Sequence, residues 1–347
     1  MRPVYVDRSV GLAALLLAVL APLYLSSYWV GALLTQMLFL GIVAASLIFL
    51  SAYGGMVSLA QIAIYGIAGF VVGNATTNGN TKGLNLGWNP WWGVLLGIAI
   101  ATAIAILFGA LASRSVGIYF LMITLTYSVI ANLTFGQVTD VSGFGGISGI
   151  PAPHVIGNVN AHANRLYYVT LGAALVVYLL LRYLVRTPFG LSLQGVRDDP
   201  IRMSSLGYNV ALHRTIAFGV AGFVAAIGGV LFVWWNGHID PASIDLGSTI
   251  DVLVIAVVGG LYRLEGAWVG ALFFVVLQNY VQRIGFWSLS TRFNSLIGVV
   301  FLLIILVSPG GLIGLWERVV ALTFGRRRGP TDRDRNPIDV GQVEPSV

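Results

Sequence analysis

The feature of the sequence that most constrains its fold is a series of long apolar segments recurring along almost the whole chain. A helix that crosses the hydrocarbon layer of a bilayer needs roughly 20 apolar residues, because that layer is about 30 Å thick. One water-soluble core could not bury so many such segments, so lipid must surround most of the chain. They predict about ten membrane-spanning helices, at 10–26, 29–53, 57–73, 91–112, 117–135, 166–185, 215–235, 249–262, 266–283 and 293–308.

The composition agrees with a membrane protein. Hydrophobic residues make up 57% of the chain and charged residues only 9%, whereas a soluble domain carries about 25% charged residues. The predicted fold class is therefore all-α, a polytopic transmembrane helical bundle. The segments 57–73, 249–262 and 293–308 are short for a direct crossing, which is typical of tilted, re-entrant or broken helices. The chain has no cysteine, which excludes disulfides, thiolate metal sites and cysteine nucleophiles.

Basic residues predict the orientation of the bundle, because cytoplasmic segments of membrane proteins are enriched in lysine and arginine. With the N-terminus inside and ten spans, only Lys82, Arg165, Arg283 and Arg292 of the 19 basic residues fall outside. Both termini are then cytoplasmic. No clear small-x-small cleavage site follows the first apolar segment, so we interpret 10–26 as an uncleaved span and not as a signal peptide.

The remaining segments divide the chain into one membrane domain and a tail. We expect a transmembrane domain over 1–325, with outer loops at 74–90 and 136–165 and the largest inner loop at 186–214. The tail 326–347 is polar and charged and contains proline, which predicts a disordered cytoplasmic segment.

Motifs of catalytic chemistry are absent from the sequence. The only lysine, Lys82, is followed by Gly83, so there is no phosphate-binding G-x-x-x-x-G-K-[ST] motif and no ATP hydrolysis by that route. There is also no H-E-x-x-H zinc motif and no G-x-S-x-G nucleophile motif. His154 and His162 share an outer loop, and we interpret them as solvated histidines and not as metal ligands. We therefore predict neither a catalytic site nor a bound metal.

Ionisable side chains are almost missing from the predicted span interiors. Ion-driven carriers usually place such groups in mid-membrane, where a charge is expensive and therefore functional. Asp251 lies near a predicted outer end and Glu265 near an inner end, so we interpret both as interfacial. This favours a transporter whose driving force comes from another subunit. An autonomous ion-coupled carrier or facilitator is the alternative class.

The inner loop 186–214 carries the signals of a short capped helix. Asp199 is suited to cap a helix that begins at Pro200, and Gly207 suits the left-handed residue that ends it. A rigid helix of about two turns could receive a push from a cytoplasmic partner that closes on ATP, and could pass it to the attached spans. The alternative is a solvated connection whose helix has no partner, and the pattern leaves both open.

The inner loop contains the motif made of Thr187-Pro-Phe-Gly, Val196-Arg-Asp-Asp-Pro and Ser204-Ser-Leu-Gly-Tyr-Asn. Three other motifs are Gly54-Gly-Met-Val-Ser-Leu-Ala-Gln-Ile-Ala, Ser142-Gly-Phe-Gly-Gly-Ile-Ser-Gly-Ile-Pro and Gly259-Gly-Leu-Tyr-Arg-Leu-Glu-Gly. These four motifs, in the same order and over roughly residues 50 to 280, resemble those of the permease subunits of branched-chain amino acid ABC importers. The order of the elements is similar to that of the LivM-type subunit and not to its shorter LivH-type partner.

The resemblance implies an ABC importer permease in a bacterial plasma (inner) membrane, with no nucleic-acid partner. Its partners would be a LivH-type second permease, two ATPase subunits of LivG and LivF type, and a soluble substrate-binding protein. The ATPase subunits would use ATP and Mg²⁺, and this chain would bind no cofactor and would not be an enzyme. The substrates would be leucine, isoleucine, valine or similar hydrophobic amino acids. We expect the ATPase contact to be formed by Arg197, Asp198, Asp199, Ile201, Arg202 and Leu206.

The sequence departs from the family pattern at several points. Ala60 stands where the family usually has glycine, and Ser204 and Ser205 where alanines are common. Residues 261–265 replace a small Gly-Ser turn. Urea and short-amide importers use closely related permeases, so the substrate stays open.

Two further sets of residues are singled out by the pattern. Gly54, Gly55, Gly259 and Gly260 end predicted spans in pairs, and we expect them to be bend points in the core. Gln61 and Asn132 are polar residues within predicted spans, where an interhelical hydrogen bond is the ordinary interpretation and lining a transport pathway is the functional one.

Overall fold

The structure is a computed structural model, and it describes residues 16–22, 24, 26, 28–78, 83–153, 156–157, 163–283, 298–299, 302 and 311–314. The span predicted at 293–308 falls almost entirely outside the described residues, as do the first residues of the span at 10–26. The tail 326–347, Lys82, His154 and His162 also lie outside them.

The described part is almost entirely helical, which confirms the predicted all-α class. A π-helical stretch, Trp29–Leu34, runs directly into the α-helix that begins at Thr35. The helices are α1 (Thr35–Gly54), α2 (Gln61–Thr76), α3 (Pro90–Ala112), α4 (Ile118–Gln137), α5 (Ala163–Arg186), α6 (Pro188–Asp198), α7 (Pro200–Ser205), α8 (Val210–Asn236), α9 (Leu246–Gly259) and α10 (Gly266–Arg283).

Eight of the predicted spans coincide with helices of the described part. Five segments are long and apolar enough to cross a membrane, namely Trp29–Gly54, Pro90–Ala112, Ile118–Gln137, Asn164–Arg186 and Val210–Asn236. Three apolar helices are shorter: α2, α9 and the segment Gly266–Tyr280 of α10. The prediction that 57–73 and 249–262 are unusually short is therefore confirmed.

The core of the bundle is built around α1 and α8, most of whose residues are buried. Both helices are apolar on all sides, which is the pattern of a fully surrounded helix. Helix α8 packs closely on α1, α2 and α3 because its glycines let backbones approach. A Cβ atom at Gly229 would lie 2.0 Å from the carbonyl oxygen of Tyr65, and one at Gly222 would lie 2.2 Å from Cβ of Ala105.

The predicted outer loop 136–165 covers one end of this core. Its residues Ile147 and Ser148 form a short antiparallel pair, β1 (Ile147–Ser148), with β2 (His238–Ile239) just after α8. Ile147 and Ile150 are buried near Gly73 of α2. The loop therefore seals the end of the bundle where α2 and α8 end.

The inner loop 186–214 is more ordered than the sequence predicted, because α6 occupies its first half. The prediction contained only the short helix after Asp199, so this is a correction. Thr187 caps α6, its hydroxyl accepting from the amide of Gly190, and Pro188 stands in the first turn. Residues Leu193 and Val196 are fully buried against the bundle, and this tertiary packing favours a helix that the two glycines of the segment weaken.

Candidate coupling and translocation sites

Helix α6 is fixed to the bundle by its buried face. It packs against α1, α5 and α8, with Leu193 and Val196 fully buried. Gly190 lets the first turn come very close to α5, since a Cβ atom there would lie 2.3 Å from the carbonyl oxygen of Leu184. At the start of α8, the imidazole of His213 stacks on Phe189 with ring centroids 5.8 Å apart. A force on α6 would therefore reach three spanning helices.

Arg197 ties the end of α6 to the end of α1. Its Nη1 donates to the carbonyl oxygen of Ala52, while its Nη2 lies 2.7 Å from a carboxylate oxygen of Asp198. The stem of the side chain crosses Gly55, where a Cβ atom would lie 2.6 Å from Cγ of Arg197. The structure thus places Arg197 against the bundle, and Asp198 beside it on the exposed side.

Helix α7 projects from this fixed base, and none of its residues is buried. As predicted, Asp199 caps it, with Oδ1 accepting from the amide of Arg202 at 2.9 Å, and Gly207 follows it with a φ of 88°. Ile201 and Leu206 are 80% and 66% exposed. We call α7 together with its flanking Asp199, Leu206 and Gly207 the knob.

The predicted ATPase-contact residues therefore fall into three groups. Arg197 faces the bundle end, Asp199 serves as a helix cap, and Asp198, Ile201, Arg202 and Leu206 are exposed. Apolar exposure continues next to the knob, at Leu191, Tyr208 and Leu212.

The first glycine pair ends a helix instead of bending one. Helix α1 stops at Gly54, and Gly55 follows in the left-handed conformation with a φ of 66°. The expected bend in the core is thus a chain reversal at the end of α1.

The second glycine pair also ends a helix: α9 stops at Gly259, and Gly260 follows with a φ of 121° and a ψ of 110°, which differs from the left-handed helical conformation of Gly55. Gly259 allows the backbones of α9 and α10 to touch, since a Cβ atom there would lie 1.9 Å from the carbonyl oxygen of Gly266. Glu265 in the following loop accepts from the hydroxyl of Tyr178 at 2.7 Å and lies 3.9 Å from Arg182, both on α5.

Helix α2 begins well inside the bundle and not at its edge. Its first residue, Gln61, accepts a hydrogen bond from the hydroxyl of Ser46 at 3.0 Å. Ser46 lies eight residues before the end of α1, which is about 12 Å along a helix. The chain therefore leaves α1 at Gly54 and returns through non-helical residues 56–60, with Ser58, Leu59 and Ala60 buried. Of the tilted, re-entrant and broken arrangements predicted for the short segment 57–73, the structure has the broken one.

A row of polar side chains on α4 faces this break and α9. Thr124, Ser128 and Asn132 are four residues apart and lie on one face of the helix. Thr124 Oγ1 accepts from the amide of Leu59 at 3.2 Å. The hydroxyls of Ser128 and Thr249 are 3.0 Å apart, and Asn132 Nδ2 donates to the carbonyl oxygen of Pro241 at 2.7 Å.

We call Thr124, Ser128 and Asn132 the polar seam. The sequence prediction singled out Asn132 and overlooked the other two, although the spacing T-x-x-x-S-x-x-x-N was the available signal. Asp251, in the second turn of α9, is half-buried and is the only carboxylate within the apolar helices that the structure describes.

The fold is that of a multi-pass membrane transport protein. Its described part has five helices long enough to span a membrane, a helix, α2, that begins inside the bundle, and a polar seam on α4. The chain belongs to the family of the permease component of branched-chain amino acid transport systems, which matches residues 30–308.

Several curated relatives are similar to the chain. The LivM permease proteins of the high-affinity branched-chain amino acid transport systems of Salmonella typhimurium and Escherichia coli are each 24% identical over 240 residues, covering 62% of this chain and 55% of theirs. The LivH permease protein of Escherichia coli is 27% identical over 150 residues, covering 43% of this chain and 46% of its own. The chain thus spans about half the length of the curated relatives it matches. No solved structure matches the chain significantly.

Proposed function

We propose that this chain is one of two different transmembrane subunits of an ATP-driven importer of branched-chain or other hydrophobic amino acids. It forms the transport pathway with a LivH-type permease. Two cytoplasmic ATPase subunits bind the inner loops of the two permeases, with the knob as the contact on this chain, and a soluble binding protein delivers substrate on the other side. The chain itself is not an enzyme, and both of its termini face the cytoplasm of a bacterial cell.

The knob carries this proposal. The knob exposes the apolar side chains of Ile201 and Leu206 to water. A partner that covered them would remove this apolar surface from water, which is favourable. Its base, α6, is locked to α1, α5 and α8, so displacement of the knob moves spanning helices as a unit. These are the two properties that a coupling element between an ATPase and a transport pathway requires.

Two other functions compete with this proposal. A urea or short-amide importer would have the same architecture, and binding assays on the partner binding protein would separate it. An ion-coupled carrier would move substrate without partners, so reconstitution of the chain alone in liposomes with an imposed ion gradient distinguishes it. Asp251 is the reason to test the carrier, because it is the one carboxylate in a described apolar helix and ion-coupled carriers use such groups.

The experiment that tests the proposal is co-purification from native membranes followed by reconstitution of the complete complex. In it, we expect Ile201→Asp to reduce ATP-driven leucine uptake at least tenfold, because it buries a charge in an apolar contact. Val116→Asp is the matched control, since Val116 is also exposed and lies in the turn contacted by Arg214 at the start of α8. Uptake that is unchanged in Ile201→Asp would contradict the knob's role.

A further inference from the structure

The N-terminus of α2 holds hydrogen-bond donors that have no acceptor among the residues that the structure describes. No side chain caps this helix. The amide of Leu59 donates to Thr124 and that of Ala60 to Ser58, and the first bond of the helical ladder runs from Ile64 to Ala60. Between them, the amides of 61–63 meet no acceptor among the described residues.

Gln61 is the first residue of this helix and carries a further donor. Its side chain is 1% exposed, and its Nε2 is buried without a partner in the part of the chain that the structure describes. The oxygen of the Gln61 side-chain amide is held by Ser46. The Ser46 hydroxyl donates to the carbonyl oxygen of Val43, at 2.6 Å, and to Gln61 Oε1, at 3.0 Å. A buried amide group without an acceptor is destabilising unless a ligand supplies one.

These donors are of the kind that binds a small anion. The N-terminus of a helix carries a partial positive charge and exposed amides, and both act strongly in the water-poor interior of a membrane protein. Discontinuous helices that begin at depth bind substrate carboxylates in this way in transporters of other folds.

We propose that the first turn of α2, with Gln61, binds the α-carboxylate of a free amino acid during transport. The inference rests on the proposed function and adds a substrate-binding site to it. The amides of Ile62 and Ala63 and Gln61 Nε2 donate to the two carboxylate oxygens. The polar seam borders this site through Thr124, which holds Leu59 and so fixes the chain just before the helix.

The test uses the complete complex in proteoliposomes with radiolabelled leucine as the probe. Gln61→Glu keeps the shape of the side chain, removes its donor and adds a negative charge, so we expect uptake to fall at least tenfold. Gln137→Glu is the control, because it makes the same change at the exposed last residue of α4. If Gln61→Glu imports leucine within twofold of the wild type, the site is wrong.

A second measurement needs no variant. In the wild-type complex saturated with carboxyl-¹³C leucine, solid-state NMR should place the carboxyl carbon roughly 4 Å from the amide nitrogens of Ile62 or Ala63. Absence of dipolar coupling to both nitrogens overturns the inference. A wild-type complex that imports neither leucine, isoleucine or valine nor another hydrophobic amino acid refutes the proposed function and this site together, whereas leucine import that is insensitive to Gln61→Glu refutes the site alone.

Discussion

At the scale of single residues, glycine conformation decides how α1 and α6 meet. Gly55 has a left-handed φ of 66° and lies under the side chain of Arg197. Gly207 has a left-handed φ of 88°, and a Cβ atom added there would have no other atom within 4 Å. A substitution at Gly207 therefore tests backbone strain alone, whereas one at Gly55 tests backbone strain together with crowding against Arg197.

We expect Gly207→Ala to cost about 1–2 kcal/mol, the strain of a left-handed alanine, and Gly55→Ala to cost more. The second substitution also displaces the stem of Arg197 and breaks its bond to the carbonyl of Ala52. Thermal unfolding of the purified complex in nanodiscs measures the difference. Equal shifts in Tm would show that the contact with Arg197 adds no stability.

At the scale of elements, α6 is the base that holds the knob. Its leucines make a matched pair, because Leu193 is fully buried and Leu191 is 62% exposed on the same helix. The exposed position reports on contacts with partners and the buried one on attachment to the bundle.

We expect Leu193→Ala to destabilise the permease by about 2 kcal/mol or more through the cavity it leaves, and to lower the amount of leucine imported per ATP hydrolysed. Leu191→Ala should leave the unfolding free energy of the permease within about 0.5 kcal/mol of the wild type. The checks are denaturant unfolding and parallel assays of uptake and ATP hydrolysis. Full coupling in a destabilised Leu193→Ala complex would mean that α6 does not transmit force.

At the scale of the whole molecule, the two ends of the bundle differ. The knob, the end of α1 and the start of α8 lie together through Arg197 and the stacked Phe189 and His213, whereas β1 and β2 cover the other end.

Because the chain has no cysteine, single cysteines report orientation without background. In vesicles stripped of the peripheral ATPase subunits, we expect a membrane-impermeant maleimide to label Leu206→Cys only when the vesicles are inside-out and Phe144→Cys only when they are right-side-out, since both positions are exposed at opposite ends. The unmodified chain is the control. Labelling of both from one side would contradict the predicted orientation.

Sequence alone predicted the helical class, the eight spans that fall within the described residues and the cap at Asp199, because apolar length and local capping need no tertiary context. The four motifs predicted the family, which the family match confirms. Three features appeared only in the folded structure: α6 is a helix, Arg197 contacts the carbonyl oxygen of Ala52, and Gln61 lies at the depth of Ser46. Each of these depends on contacts between segments distant in the chain. Burial of Leu193 and Val196 stabilises α6 against its weak propensity, and the depth at which α2 begins is set by how the segment 56–60 packs, which residue pattern alone does not encode.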